Sequence, residues 1–174
     1  QGFSLSNTKT RDMSNPNNRM FEEFLRFVSD IKPTWFLFEN VYGLTKFKNG
    51  DENIQKHIED RFRALGYTVN SDVLYASDYG VPQRRNRLFI VGNRNGIKFE
   101  FPEKFDYTVT VDEAFEDLPI LSNGEVQMVG EYRVPINEAS EYAKLMRAHS
   151  DAPTQNIVSR NKEYVVERYK YIKE

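Results

Sequence analysis

Two places in the chain combine residue types that could do chemistry. The first is Glu39-Asn40, an acid and an amide that follow the apolar run Trp35-Phe36-Leu37-Phe38 without a break. A short apolar run reads as a strand buried on both faces of a sheet, and polar residues at the carboxyl end of such a strand sit where open α/β sheets bind ligands. Taken alone, the same pair reads more simply as the close of a strand and the entry to a turn. The second place is the stretch 79–99, which holds Arg84, Arg85, Arg87, Arg94 and Lys98 and no acid. Arginine grips phosphates and planar bases through two parallel hydrogen bonds. Gly80 and Pro82 pin the turn that carries the first of these arginines, so its geometry is specified. Arg87 stands at the threshold of the apolar run Leu88–Val91, where an unpaired charge would be costly. The order of elements offers Glu39 as its partner, near the same edge of a neighbouring strand.

Other chemistries are excluded or unsupported. The chain has no cysteine, which removes disulfides, thiolate zinc sites and any cysteine nucleophile within these residues. His57 and His149 lie far apart and carry no metal-ligand spacing, so no metal is expected; His57 beside a helix face reads as structural. The net charge of −2 announces no nucleic-acid partner globally, and any such signal must be local. No apolar run reaches transmembrane length, and no signal peptide is visible.

These residues need a scaffold, and the periodicity supplies one. Residues 1–18 are rich in Ser, Asn, Thr and Lys and read as loop, with Asn17 or Asn18 placed to cap a helix running to about Ile31. Met20, Phe21, Phe24, Leu25, Val28 and Ile31 line one face of that helix. Pro33 stops it before the strand Trp35–Val41. A polar loop over 43–51 leads to a helix over 52–65 that buries Ile54, Ile58, Phe62 and Leu65, with Gly66 as its terminator. Strands follow over 67–76 and 87–92, joined by about ten residues without a helix. That is too short for a parallel crossover, so the last strand is expected antiparallel. The fold class is α/β: the second half of a doubly wound, Rossmann-like sheet with an antiparallel final strand, over residues 1–97. Residues 98–174 read as a Phe/Pro-rich extended segment, then a mostly helical extension. It opens with a capping box at Thr110-Val-Asp-Glu113, with 120–135 irregular.

Phe38-Glu39-Asn40-Val41, followed by Asp78-Tyr-Gly-Val-Pro-Gln-Arg-Arg-Asn-Arg-Leu-Phe-Ile-Val-Gly92, resembles the cytosine-5 DNA methyltransferases. Two motifs in order and spacing make the resemblance specific. Gln1-Gly2-Phe3-Ser4 is similar to the tail of that family's Pro-Cys-Gln-Gly-Phe-Ser nucleophile loop, and Met20–Arg26 resembles its next helix. Thr108–Pro119 and Ser159–Tyr164 resemble the lead-in to the target-recognition region of bacterial members.

The resemblance implies a flipped cytosine methylated on carbon 5 from S-adenosylmethionine. Glu39 then matches the glutamate on ring nitrogen 3 and the amine, expected in a water-poor pocket that raises its pKa. Arg87 matches the arginine that holds this glutamate and the base carbonyl, and Arg85 one that grips phosphate. Arg84 lies in the same motif. Asn40 and Gln83 resemble residues that fix these groups, and Gln1, Ser4 and Ser6 loop positions that touch DNA. Met20 falls where the family touches the cofactor. The partner implied is double-stranded DNA, in the bacterial cytoplasm at the nucleoid, within a restriction-modification system. A non-catalytic module of a split enzyme, or a transfer-RNA methyltransferase, are the alternatives. The missing thiolate leads to the expectation of a piece of a longer protein that is inactive alone and exposes an apolar sheet edge prone to self-association.

Overall fold

The computed structural model describes residues 19–172, and within them the chain forms two compact units that meet between Thr108 and Val109. Gln1, Ser4, Ser6 and the capping residues Asn17 and Asn18 lie outside the described residues.

The first unit begins with helix α1 (Met20–Ile31). Arg19 takes the cap position, its side chain bonding Glu22 and not the helix's free N–H groups, and Lys32 ends the helix in the left-handed region with its N–H on the Val28 carbonyl. Phe21, Leu25 and Val28 are buried as the three- and four-residue spacing requires, while Met20 and Ile31 at the two ends are exposed. Strand β1 (Trp35–Val41) follows. The expected polar loop carries a one-turn helix α2 (Gly43–Lys46), and then a tight ribbon of β2 (Lys48–Asn49) against β3 (Glu52–Asn53). Helix α3 (Ile54–Ala64) is capped by Asn53, whose side chain accepts from the Lys56 N–H at 3.1 Å. Gly66 at φ +87° terminates it, with Tyr67 N–H reaching back to the Phe62 carbonyl at 3.3 Å. Leu65, expected inside, is 37 % exposed because it falls at the cap, where the helical face has turned away.

Strands β4 (Thr68–Tyr75) and β5 (Asn86–Asn93) complete a three-stranded sheet in the order β1-β5-β4. β5 lies between the other two and runs antiparallel to both, as the short connection demanded. β1 and β4 are therefore parallel, linked by α3.

The double burial expected of β1 is not what forms. Phe36 and Phe38 are buried, but Trp35 and Leu37 on the opposite face are 40 % and 58 % exposed. The physical reason is that α1 and α3 both pack on the Phe36/Phe38 face. There Phe62 sits at the centre with no exposed surface, its ring 4.2 Å from Phe36 and 6.0 Å from Phe24. Gly92 belongs to this packing, since the Phe36 ring occupies the space above it across the strand pair. The other face receives the chain returning through 94–107. Asn93 is fully buried and anchors that return, accepting from the N–H groups of Asn95 and Ile97 and donating to the Ile97 carbonyl. Phe99 N–H binds the Asn70 side chain at 2.9 Å, and its ring meets Trp35 edge-on.

The second unit is less helical than expected. Its helices are short, α4 (Val111–Phe115), α5 (Glu141–Met146) and α6 (Glu163–Tyr169), and a two-stranded antiparallel sheet joins β6 (Val126–Val129) to β7 (Thr154–Ile157). β6 falls in the stretch that reads as irregular; four residues flanked by glycines carry too little alternation to register as a strand. The capping box at Thr110 and Glu113 forms in full. Inside this unit Asp117 is 3 % exposed and paired with Arg147, whose guanidinium also donates to the Val134 carbonyl at 2.9 Å and stacks 3.8 Å from the Tyr132 ring centre.

Candidate functional site

The carboxyl end of β1 and the amino end of β5 meet because the strands are antiparallel neighbours. In their register Val41 stands opposite Arg87 and Glu39 opposite Phe89. Glu39 and Arg87 are thus diagonal neighbours on one face, within reach for long side chains. Arg87 Nε lies 2.8 Å from Glu39 Oε1, and Arg87 Nη1 donates to the Asn86 carbonyl at 2.8 Å. The pairing anticipated from the sequence is therefore present.

Its surroundings differ from the enclosed pocket expected for Glu39, whose side chain is 44 % exposed against 21 % for Arg87. The cross-strand neighbours of Arg87, Val41 and Leu74, are both apolar, so the guanidinium is flanked by hydrocarbon and directed along the sheet toward Glu39. An ion pair this open to water is worth about 0–1 kcal/mol to the fold. It holds two charges in place at the sheet end without contributing much to stability.

Beside the pair lies a cavity of about 220 Å³ lined by Leu74, Ala76, Tyr79, Arg85, Arg87 and Phe89. It brings Arg85 and Arg87 to one concavity and adds Leu74, Tyr79 and Phe89, which the motif reading missed. The alternation of β5 carried that signal for Phe89, since residues 87 and 89 must share a face. The loop bearing the arginines is closed by its own backbone. Ala76 N–H donates to the Arg85 carbonyl at 2.8 Å, Val81 N–H to the Ala76 carbonyl at 3.2 Å, and Arg85 N–H to the Gln83 carbonyl at 2.9 Å. Gly80 supplies the left-handed residue of this turn at φ +73°. Arg84, Arg85 and Gln83 project as exposed side chains.

Three other candidates are not brought to the pair. Asn40 stands opposite Leu88, hence on the other face, and its side chain accepts from the neighbouring Val41 N–H at 2.8 Å. Gln83 engages through its backbone. Met20 begins α1 with 61 % of its surface exposed. His57 has a structural environment, Nδ1 lying 2.9 Å from Glu52 Oε1 and its ring edge-on to Phe21. Among the described residues no group of acids and histidines could hold a metal ion, and no helix is long and apolar enough to cross a membrane.

The model of the family described as C-5 cytosine-specific DNA methylase matches residues 1–174. A type II methyltransferase M.DdeI from Desulfomicrobium norvegicum is 35 % identical over 99 % of the chain and 43 % of its own length. A type II methyltransferase M.XorII from Xanthomonas oryzae pv. oryzae is 37 % identical over 88 % of the chain and 36 % of its own length. The chain thus spans less than half the length of these relatives. A solved structure, of an E. coli protein assigned as a DNA modification methyltransferase encoded within a prophage, superposes with a TM-score of 0.64. It covers 91 % of this chain and 51 % of that one at 23 % identity, a likeness of fold.

Proposed function

The chain belongs to the C-5 cytosine-specific DNA methylase family, and from that premise we propose that it is the base-holding part of a DNA (cytosine-5-)-methyltransferase of a restriction-modification system. The observation that carries the reading is the Glu39–Arg87 pair at 2.8 Å, set at the end of a sheet beside a cavity that also takes Arg85. A cytosine turned out of the duplex presents ring nitrogen 3, the exocyclic amine and the carbonyl along one edge. Glu39, sharing a proton with ring nitrogen 3 and accepting from the amine, withdraws electron density from carbon 6. Arg87 keeps Nε on Glu39 and offers its remaining N–H groups to the carbonyl. The bound base covers the exposed carboxyl and excludes water from it, which favours sharing of the proton between carboxyl and base. Arg85 and Arg84 hold the phosphate of the turned-out nucleotide, and Asn40, Gln83, Gln1, Ser4 and Ser6 are assigned to the DNA-facing surroundings.

The chain contains no cysteine, so the thiolate that attacks carbon 6 comes from outside these residues. S-adenosylmethionine supplies the methyl group when bound. Met20, one exposed thioether at the start of α1, offers an adenosyl or amino-acid group no more than a weak acceptor and does not by itself fit the cofactor. In this reading residues 1–97 complete one half of a doubly wound sheet, residues 98–174 lead toward target recognition, and the partner is double-stranded DNA. Among the described residues β1 pairs on one side alone, and its other edge is where isolated chains associate. The absence of cysteine also favours a second reading, a non-catalytic module of a split enzyme.

The test combines two measurements on the 174-residue chain. Transfer of labelled methyl groups to DNA is expected to stay at background, and transfer above it overturns the assignment of the nucleophile to other residues. Binding to a duplex with a mismatched cytosine should fall about tenfold or more in Arg87→Met, as expected for losing a hydrogen bond to a charged group. Unchanged affinity overturns the base-holding role.

A further inference from the structure

The arginine loop hangs from the single 3-10 turn Ala76–Tyr79, and that turn is gripped from outside by the segment 102–107. Phe105 N–H donates to the Asp78 carbonyl at 2.9 Å, Lys104 Nζ lies 2.8 Å from Asp78 Oδ2, and Tyr79 OH donates to the Pro102 carbonyl at 3.1 Å. The Phe105 ring meets Tyr79 edge-on and stacks on Tyr107. Above Gly80, the Phe105 and Tyr107 side chains lie 3.4 Å from where a Cβ would stand, so the strap closes directly over the left-handed residue of the turn. Asp78 also holds the Lys104 ammonium above its usual pKa through their hydrogen bond, consistent with a formed pair.

We propose that the strap 102–107, through Phe105 and Lys104, is a positioning element that fixes the Ala76–Tyr79 turn and so aims Arg85 at the DNA. The inference rests on the reading above, in that it takes DNA to be what the arginines face. Each contact is modest; an exposed ion pair or an edge-on ring contributes little by itself. Together they constrain a turn that its own backbone hydrogen bonds also hold. Phe105 is 48 % exposed, so its removal costs little of the core while releasing the turn. The strap ends at the last residues of the first unit, which places it where the chain passes into the second.

The experiment compares the wild-type chain with Phe105→Ala and with Lys104→Met, each checked for an unchanged circular dichroism spectrum. Amide exchange in the DNA-free protein is followed at Ala76 and Arg85, whose N–H groups close the loop. Duplex affinity is measured across a salt series. Faster exchange at Ala76 and Arg85, with affinity lowered about three- to tenfold and an unchanged salt slope, is expected. The charge-swapped pair Asp78→Lys/Lys104→Asp should restore most of what Lys104→Met loses. Unchanged exchange would mean that the strap does not hold the loop, and a salt slope reduced by about one for Lys104→Met would mean that the strap touches DNA itself; either overturns the proposal. If Arg85→Ala leaves affinity intact, the DNA reading of the arginines has failed. The exchange measurement then still decides whether the strap holds the loop.

Discussion

Gly92→Ala tests the packing that brings Glu39 and Arg87 together. Gly92 faces Phe36 across the β1/β5 pair, and a Cβ at this position would fall within 3.0 Å of three atoms of the Phe36 ring. An unstrained carbon–carbon contact is about 3.5–4.0 Å, so ring and strand must separate by roughly 1 Å or more. The ring has little room to retreat, with Phe62 at 4.2 Å and Tyr67 at 5.1 Å between centres. Overpacking of this kind costs about 1–3 kcal/mol. The lower chain entropy of unfolded alanine offsets about 0.4–1 kcal/mol, so a net loss near 2 kcal/mol is expected at the upper end of the clash. For a unit of this size that corresponds to a fall in Tm of about 8–16 °C. Urea denaturation of the wild-type chain, Gly92→Ala and Gly92→Ala/Phe36→Leu measures it, with the double variant recovering at least half of the loss. A Gly92→Ala chain as stable as wild type would show that β5 is not seated against Phe36, and the register that pairs Arg87 with Glu39 would lose its support.

Other outcomes follow from the same structure. Phe62→Ala should destabilise by about 3–5 kcal/mol in denaturant titration, because the side chain is wholly buried among three other phenylalanines. Glu39→Gln should shift the denaturation midpoint little, by no more than the roughly 1 kcal/mol of an exposed pair, while weakening duplex binding at a mismatched cytosine. Arg147→Met in the second unit should cost about 3–5 kcal/mol by calorimetry, since it strands buried Asp117. The N–H and hydroxyl of Thr110 hold the Glu113 carboxyl below its ordinary value of 4.5. Because the folded pKa is the lower one, this stabilisation is full above the unfolded value and is lost as pH falls through the folded one. Melting curves over that acid window should flatten in Glu113→Gln.

The sequence by itself determined α1, α3, the three strands of the larger sheet and the Glu39–Arg87 pair. Apolar spacing in α1 and α3, the caps at Asn53 and Gly66, and the capping box at Thr110 are local, and local propensity decides them. The ten-residue link before β5 was short enough to dictate an antiparallel strand, and that constraint placed Arg87 beside Glu39. Tertiary structure decided what no local pattern contains. Trp35 and Leu37 are as apolar as Phe36 and Phe38, and only the docking of both helices on one face leaves them exposed. The openness of Glu39, the separation of Asn40 onto the opposite face and the grip of Phe105 on the Ala76–Tyr79 turn all arise from how distant segments meet. A motif lists which groups are present. The pleat of the sheet and the side on which helices pack decide which of them share a face.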